Sequence, residues 1–403
     1  MEKVNSALRK IFLFLIAFYP WLNYVLKKVP KLGSVWDDLL ILTFFLFSLF
    51  VGYKRIKDLI ALPGFLFALL FATVSILSFV FNNYLFLAFQ HQFRLLLEPF
   101  FVFIAVFLIS PTKDEIHFYL KSLVFSSLLL GLHGVYQYIK KVPTPAQWVD
   151  KDLESTSIYT RAFSVVGSPN VLAGYLELGL PVAIYYVFYD KDIFKKILYA
   201  LSSFAIVSGL LLTFSRGGWL GSIGALFLAF TAYSPVIGFA LIALGALMIF
   251  AVPVLRLRIL SLFDPSYIEK SLEGGGRAGR LFRWKYGLVN GFEHPLFGSG
   301  LGTFGGSAGQ KYGYFAYTSM DSVYINVFAE TGILGIISFI LFVSYGFANY
   351  VYKFFTKRKL IFLFLGASML SILIHIFVEN LFDVWGITLN FWVISALSEV
   401  LDE

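Results

Sequence analysis

Several segments of this chain carry residue types suited to anionic groups. In Phe214-Ser215-Arg216-Gly217-Gly218-Trp219 an arginine sits between two apolar runs. A guanidinium there is expensive unless it faces water, protein or an anion. Its fork suits two phosphate oxygens, and the paired glycines would let a bulky headgroup approach the backbone. The same residues also fit a snorkelling arginine at a helix-breaking turn. A second cluster runs Gly274-Gly275-Gly276-Arg277-Ala278-Gly279-Arg280-Leu281-Phe282-Arg283-Trp284-Lys285. A helix starting near Arg277 places Arg280 and Trp284 on one face at i, i+4, with Arg277 alongside. Such a face, in a run that also holds Arg283, could bind a pyrophosphate or simply anchor an amphipathic helix on a membrane.

Acidic residues supply the complementary chemistry. Asp321-Ser322 opens an apolar run, and Glu330 follows nine residues later, about two and a half helical turns deeper. A carboxylate at the entrance can act as a general base if burial raises its pKa, while Asp at such a place is also a good helix N-cap. His375, Glu379, Asn380 and Asp383 lie close together in sequence further on. Glu98 and Glu177 fall inside apolar runs and must be paired or protonated, with Arg94 four residues before Glu98 as a partner. The alternating glycines of His294-Pro295-Leu296-Phe297-Gly298-Ser299-Gly300-Leu301-Gly302 mark a tight irregular loop, not a dinucleotide fingerprint, because no strand precedes them. Asp150-Lys151-Asp152 is a weak match to a DxD metal motif. No metal and no cofactor are expected.

The elements that must position these residues are membrane helices. Of 403 residues, 59% are hydrophobic and only 14% charged, and the mean hydropathy is +0.79; this excludes an ordinary soluble domain. With no cysteine, disulfides, thiolate nucleophiles and iron-sulfur clusters are excluded. The net charge of +8 is spread over short loops instead of one basic face, which argues against nucleic acid. The expected fold class is all-α, a single polytopic membrane domain over residues 1–403. Apolar runs predict twelve spans, at about 9–28, 35–52, 57–80, 93–110, 115–138, 170–189, 194–212, 217–231, 235–254, 324–352, 358–377 and 380–400. The first follows Lys3, Arg9 and Lys10 like a retained signal anchor, interrupted by Pro20, Trp21 and Asn23. Basic loops at Lys54-Arg55-Lys57, Lys191-Lys195-Lys196 and Lys353-Lys357-Arg358-Lys359 share one side, expected to be cytoplasmic. The opposite side receives a short loop at 139–169, the Ser215–Gly218 turn and one large inserted loop at 255–323. That large loop holds eight Lys and Arg against five Asp and Glu. Long loops translocate largely regardless of charge, but clustered outer-face cations also suit lipid phosphates.

These segments, in this order, resemble the O-antigen ligase and polymerase superfamily of bacterial membrane glycosyltransferases. The likeness runs from about Arg161 to Glu379. It is carried by Arg161-Ala162-Phe163 with Ser168-Pro169-Asn170, by Ser215-Arg216-Gly217-Gly218, by Arg280 to Trp284 with His294 to Gly302, and by Asp321-Ser322 leading into Ala329-Glu330-Thr331-Gly332. The resemblance implies transfer of a glycan from undecaprenyl pyrophosphate to an acceptor hydroxyl at the periplasmic face of the inner membrane, without metal or nucleotide. The acceptor would be lipid A-core in a ligase, another lipid-linked repeat in a polymerase, or a protein in a related oligosaccharyltransferase. Asp321, Arg216 and Arg280 are then expected to carry the chemistry. Arg161, Asn170, Ser215, Arg277, Arg283, Ser322, Glu330 and Glu379 are expected to bind substrate. Ligases typically carry His-Asn where this chain has Asp321-Ser322, which weakens ligase relative to polymerase or another transferase of the superfamily. A lipid-linked sugar transporter or flippase is the alternative of another class, and would show polar residues along a midplane path.

Overall fold

The computed structural model describes residues 2–148, 160–251, 253, 256, 260, 263, 265–272, 279–314 and 321–401. Among them every regular element is helical. The first twelve helices are Glu2–Ala17 (α1), Tyr19–Leu26 (α2), Trp36–Gly52 (α3), Ile56–Ala61 (α4), Pro63–Asn82 (α5), Phe86–Leu97 (α6), Phe100–Ile109 (α7), Lys113–Ile139 (α8), Pro169–Tyr189 (α9), Ile193–Leu212 (α10), Arg216–Tyr233 (α11) and Pro235–Ala251 (α12). Three shorter ones follow, Pro265–Leu272 (α13), Arg280–Glu293 (α14) and Gly306–Lys311 (α15). The chain closes with Val323–Lys357 (α16), Leu360–His375 (α17) and Trp385–Val400 (α18).

The polytopic helical bundle expected from composition is present, with fewer unambiguous spans. Seven helices among the described residues are long and apolar enough to cross a membrane, eight if α1 and α2 count as one bent span. The expected first span breaks at Phe18, and α2 turns away by 76° with Pro20 in its first turn, because proline there supplies no backbone donor to the preceding turn. The run expected near 93–110 begins earlier, at Phe86; a turn at Glu98-Pro99 separates α6 from α7, and together they make one of the seven membrane-length stretches. The helices α17 and α18 are only 16 residues each and are buried almost all round. Apolar character there reflects the interior of a bundle more than exposure to lipid.

At the centre stands α9, packed against α8, α10 and α17, while α11 packs on α17 and α5 on α16. One end of the bundle collects the basic segments. Ser6 Oγ donates to Glu115 at 2.6 Å and Arg9 lies 3.6 Å from the same carboxylate. Lys353 Nζ donates to the Leu401 carbonyl at 2.8 Å, and Arg55 donates to the Phe107 carbonyl. At the other end the starts of α3, α9, α11, α14 and α16 meet the α17–α18 connection around a cavity.

A kink in α16 explains the glycine loop. Gly332 has φ 66° and ψ −163°, a region essentially reserved for glycine. The carbonyls released there are taken up by the loop. Ala329 O accepts from Ser299 N and Asn290 Nδ2, each at 3.0 Å. Glu330 O accepts from Gly300 N at 2.9 Å and from Ser78 Oγ at 2.8 Å. The Ile333 N–H returns to Pro295 O at 2.8 Å.

Candidate functional site

The cavity has a volume of about 1170 Å³. Its four arginines arrive from three separate parts of the chain. Phe214 takes φ +51°, turning the chain so that Ser215 caps α11, its Oγ accepting from Gly218 N at 3.3 Å. Arg216 is therefore the first residue of α11, and its side chain lines the cavity. Arg280 opens α14, with Arg283 one turn on. Buried Arg161 comes from the stretch before α9, held by its Nε donating to the Thr213 carbonyl at 3.0 Å.

Between these cations runs a continuous chain of polar contacts. Arg161 donates to Asn170 Oδ1 at 3.1 Å. The Asn170 amide donates to Glu379. Glu379 lies 3.6 Å from Arg280, whose Nε is in turn 3.4 Å from Asp321 Oδ2. Arg283 completes the chain with a 2.5 Å contact to the same oxygen, and Trp284 Nε1 donates to the Asp321 carbonyl at 3.3 Å. The face expected from the i, i+4 spacing of Arg280 and Trp284 thus meets Asp321. Asp321 does not cap α16; Ser322 does, accepting from Ile325 N at 3.3 Å. Asp321 instead adopts φ +50° just ahead of the cap, which aims its carboxylate at α14. Burial, and the facing Asp321, push the Glu379 carboxyl up to about 7 against the pull of Arg280, Arg161 and Arg283.

Arg161, Asn170, Ser215, Arg216, Arg280, Arg283, Asp321 and Glu379 all line the one cavity. Ser322 and Glu330 do not. Ser322 is fully buried as the cap. Glu330 is buried behind the glycine loop, accepting from Phe304 N at 3.1 Å and Gly305 N at 3.3 Å; its carboxylate locks that loop to the α16 kink. Arg277 and Asp150-Lys151-Asp152 lie outside the described residues. No three His, Asp or Glu among the described residues are grouped as a metal site.

The paired glycines after Arg216 serve helix packing. A Cβ on Gly217 would lie 2.6 Å from His375 Cδ2, and one on Gly218 would lie 2.9 Å from Glu177 Oε1. Their absence lets α11 close over a buried Glu177–His375 pair, 2.9 Å apart, that joins α9 to α17. Sequence reasoning saw both residues without seeing the pair, since nothing in their spacing of nearly 200 positions relates them. It likewise missed the N-terminal wall of the cavity, formed by Tyr19, Asn23, Lys27, Lys28 and Asp37. The available signal was Pro20 inside an apolar run, which bends α2 across the cavity. The expected pairing of Glu98 with Arg94 is present at 2.7 Å, and Arg94 also holds Asp38 at 2.8 Å.

The guanidinium-lined cavity lies at one end of a membrane bundle, and part of the chain matches a known family. Residues 201–340 match the family model described as O-antigen ligase. Over this segment the chain is similar to the O-antigen ligase family. The match spans α11, α14, the glycine loop and the start of α16, and so contains Ser215, Arg216, Arg280, Arg283 and Asp321. Arg161, Asn170 and Glu379, which complete the polar chain, lie outside it. No curated protein matches the chain. The family is one of membrane glycosyltransferases that take lipid-linked glycans and glycan acceptors in general.

Proposed function

We propose that this chain transfers a glycan from undecaprenyl pyrophosphate to an acceptor hydroxyl, without a metal, in a cavity facing the periplasm from the bacterial inner membrane. The observation that carries this reading is the convergence of Arg161, Arg216, Arg280 and Arg283 on one cavity at the bundle end opposite the basic loops. Lysine-rich loops favour the cytoplasmic side, so the cavity faces outward, where no nucleotide sugar is supplied. Breaking the bond between the anomeric carbon and the pyrophosphate oxygen leaves negative charge on that oxygen. Fixed guanidinium groups stabilise such charge as it develops, with little reorganisation.

Arg216 and Arg280 act on the leaving pyrophosphate. Asp321 orients Arg280 and Arg283, and Arg161 with Asn170 orients Glu379. The acceptor of the preferred reading is lipid A-core, as in a ligase. Asp321-Ser322, where ligases carry His-Asn, favours a polymerase as the second reading, with another lipid-linked repeat as acceptor.

The test is a transfer assay with purified protein in detergent and an undecaprenyl-pyrophosphate-linked glycan, with lipid A-core in one tube and no added acceptor in the other. Glycan on lipid A-core establishes a ligase. Lengthened lipid-linked chains without added acceptor establish a polymerase. Absence of transfer from both tubes contradicts the proposal for these acceptors and moves weight to another acceptor or to transport.

A further inference from the structure

Glycan transfer to a hydroxyl needs somewhere for the hydroxyl proton to go, and two of the cavity carboxylates are poorly placed to take it. Asp321 is held by Arg280 and Arg283, and Glu379 lies against Arg280. A third carboxylate lines the same cavity. Asp383 sits on the short helical turn Leu381–Asp383 between α17 and α18. Its Oδ2 accepts from the Ser307 N–H at 3.2 Å, and the Gln92 side chain also hydrogen-bonds it. Both donors are neutral. Gly306, at φ +60°, lets the start of α15 approach this oxygen closely, since a Cβ there would stand 3.1 Å from it, and Asp383 itself lines the cavity.

We propose that Asp383 is the general base that accepts the proton of the acceptor hydroxyl. This inference rests on the transferase reading of the same cavity. In the step, the acceptor O–H proton passes to an Asp383 oxygen. The oxygen lone pair forms the new bond to the anomeric carbon, and the carbon–oxygen bond to the pyrophosphate breaks with its electron pair leaving on the phosphate oxygen. The proton then passes from Asp383 to solvent, restoring the carboxylate.

Burial pushes the Asp383 carboxyl up to about 6, against the hydrogen bonds from Ser307 and Gln92, toward the range in which a carboxylate is an effective base. The charged and titratable groups packed near it are Glu330 on α16, Glu379 on its own connection, and His91 on α6, which bonds Ser307 Oγ at 3.1 Å with Lys311 and Arg94 close to it. The cavity thus offers arginines for the leaving group and, in Asp383, a carboxylate whose hydrogen-bond donors among the described residues are neutral.

The test compares wild type, Asp383→Asn and Asp383→Glu in the transfer assay above, using the donor and whichever acceptor supports transfer. Asp383→Asn is expected to lower kcat about 100-fold or more with an unchanged KM for the donor, and Asp383→Glu to restore part of the rate. Azide, a nucleophile with no proton to lose, is expected to yield glycosyl azide with Asp383→Asn at a rate close to wild type. A rate for Asp383→Asn within threefold of wild type overturns the inference. Loss of azide transfer, or a raised donor KM, also overturns it, since either assigns Asp383 to folding or donor binding. Absence of transfer by the wild-type protein overturns the transferase reading and this inference together.

Discussion

Arg280 offers the sharpest perturbation of the proposed chemistry. It lies between two carboxylates, 3.4 Å from Asp321 and 3.6 Å from Glu379, with its side chain 34% exposed toward the cavity. Truncation to Ala removes a cation that the donor pyrophosphate would meet. A hydrogen bond to a charged group contributes about 1.5–3 kcal/mol, and removing one donor to a developing oxyanion typically costs about 2.7–4 kcal/mol. Taking about 3 kcal/mol as the overlap, Arg280→Ala should lower kcat/KM by roughly 100-fold or somewhat more. Arg280→Lys should fall between, because a point charge keeps the Coulomb attraction but loses the fork. Initial rates of glycan transfer against donor concentration measure this, with thermal unfolding in detergent as the control for fold. A loss below threefold in kcat/KM, with unfolding unchanged, would refute the assignment of Arg280 to the leaving group.

Three further outcomes are expected. Gly332→Ala should lower stability by about 2 kcal/mol or more, read by thermal unfolding, because the residue holds φ 66° and a Cβ would stand 2.5 Å from the Leu296 carbonyl carbon. Gly221→Val should separate α11 from α17 and lower both stability and transfer, since a Cβ there meets the Ser371 carbonyl oxygen at 2.5 Å; a variant as stable as wild type would contradict the packing role. For Glu379, the folded carboxyl is raised to about 7 from an ordinary 4.5, so the folded state binds more protons than the unfolded chain between those values. Its contribution to stability is complete below about pH 4.5 and is lost as pH rises through about 7. Glu379→Gln should therefore flatten the decline of melting temperature across that window, and an unchanged pH slope would count against it.

Part of the candidate site was legible from residue type, and part only from the family resemblance. Arg216 between two apolar runs and the clustered Arg280 and Arg283 demand an explanation, Arg161 was expected from the resemblance, and all four line one cavity. Bundle architecture was legible for the same reason, since apolar runs of membrane length have few other uses. Span count was less so, because α17 and α18 are apolar through burial among other helices, and the run holding Pro20 bends where it reads as continuous. Glu330 illustrates a different limit. A deep acid after Asp321 reads as a ligand or base, yet it accepts from the backbone N–H groups of Phe304 and Gly305, just after the glycine loop. Asp383 and the α2 wall enter the cavity from segments far apart in sequence, and only tertiary structure brings them to the arginines.

The most direct test of the central claim is single-turnover transfer, followed by mass spectrometry of the glycan product, with wild type and Arg216→Ala at matched, folded, membrane-inserted concentrations. The account predicts product with wild type and a rate at least about 100-fold lower with the variant. Equal rates in the two would contradict the claim that this arginine-lined cavity is where the glycan leaves its pyrophosphate.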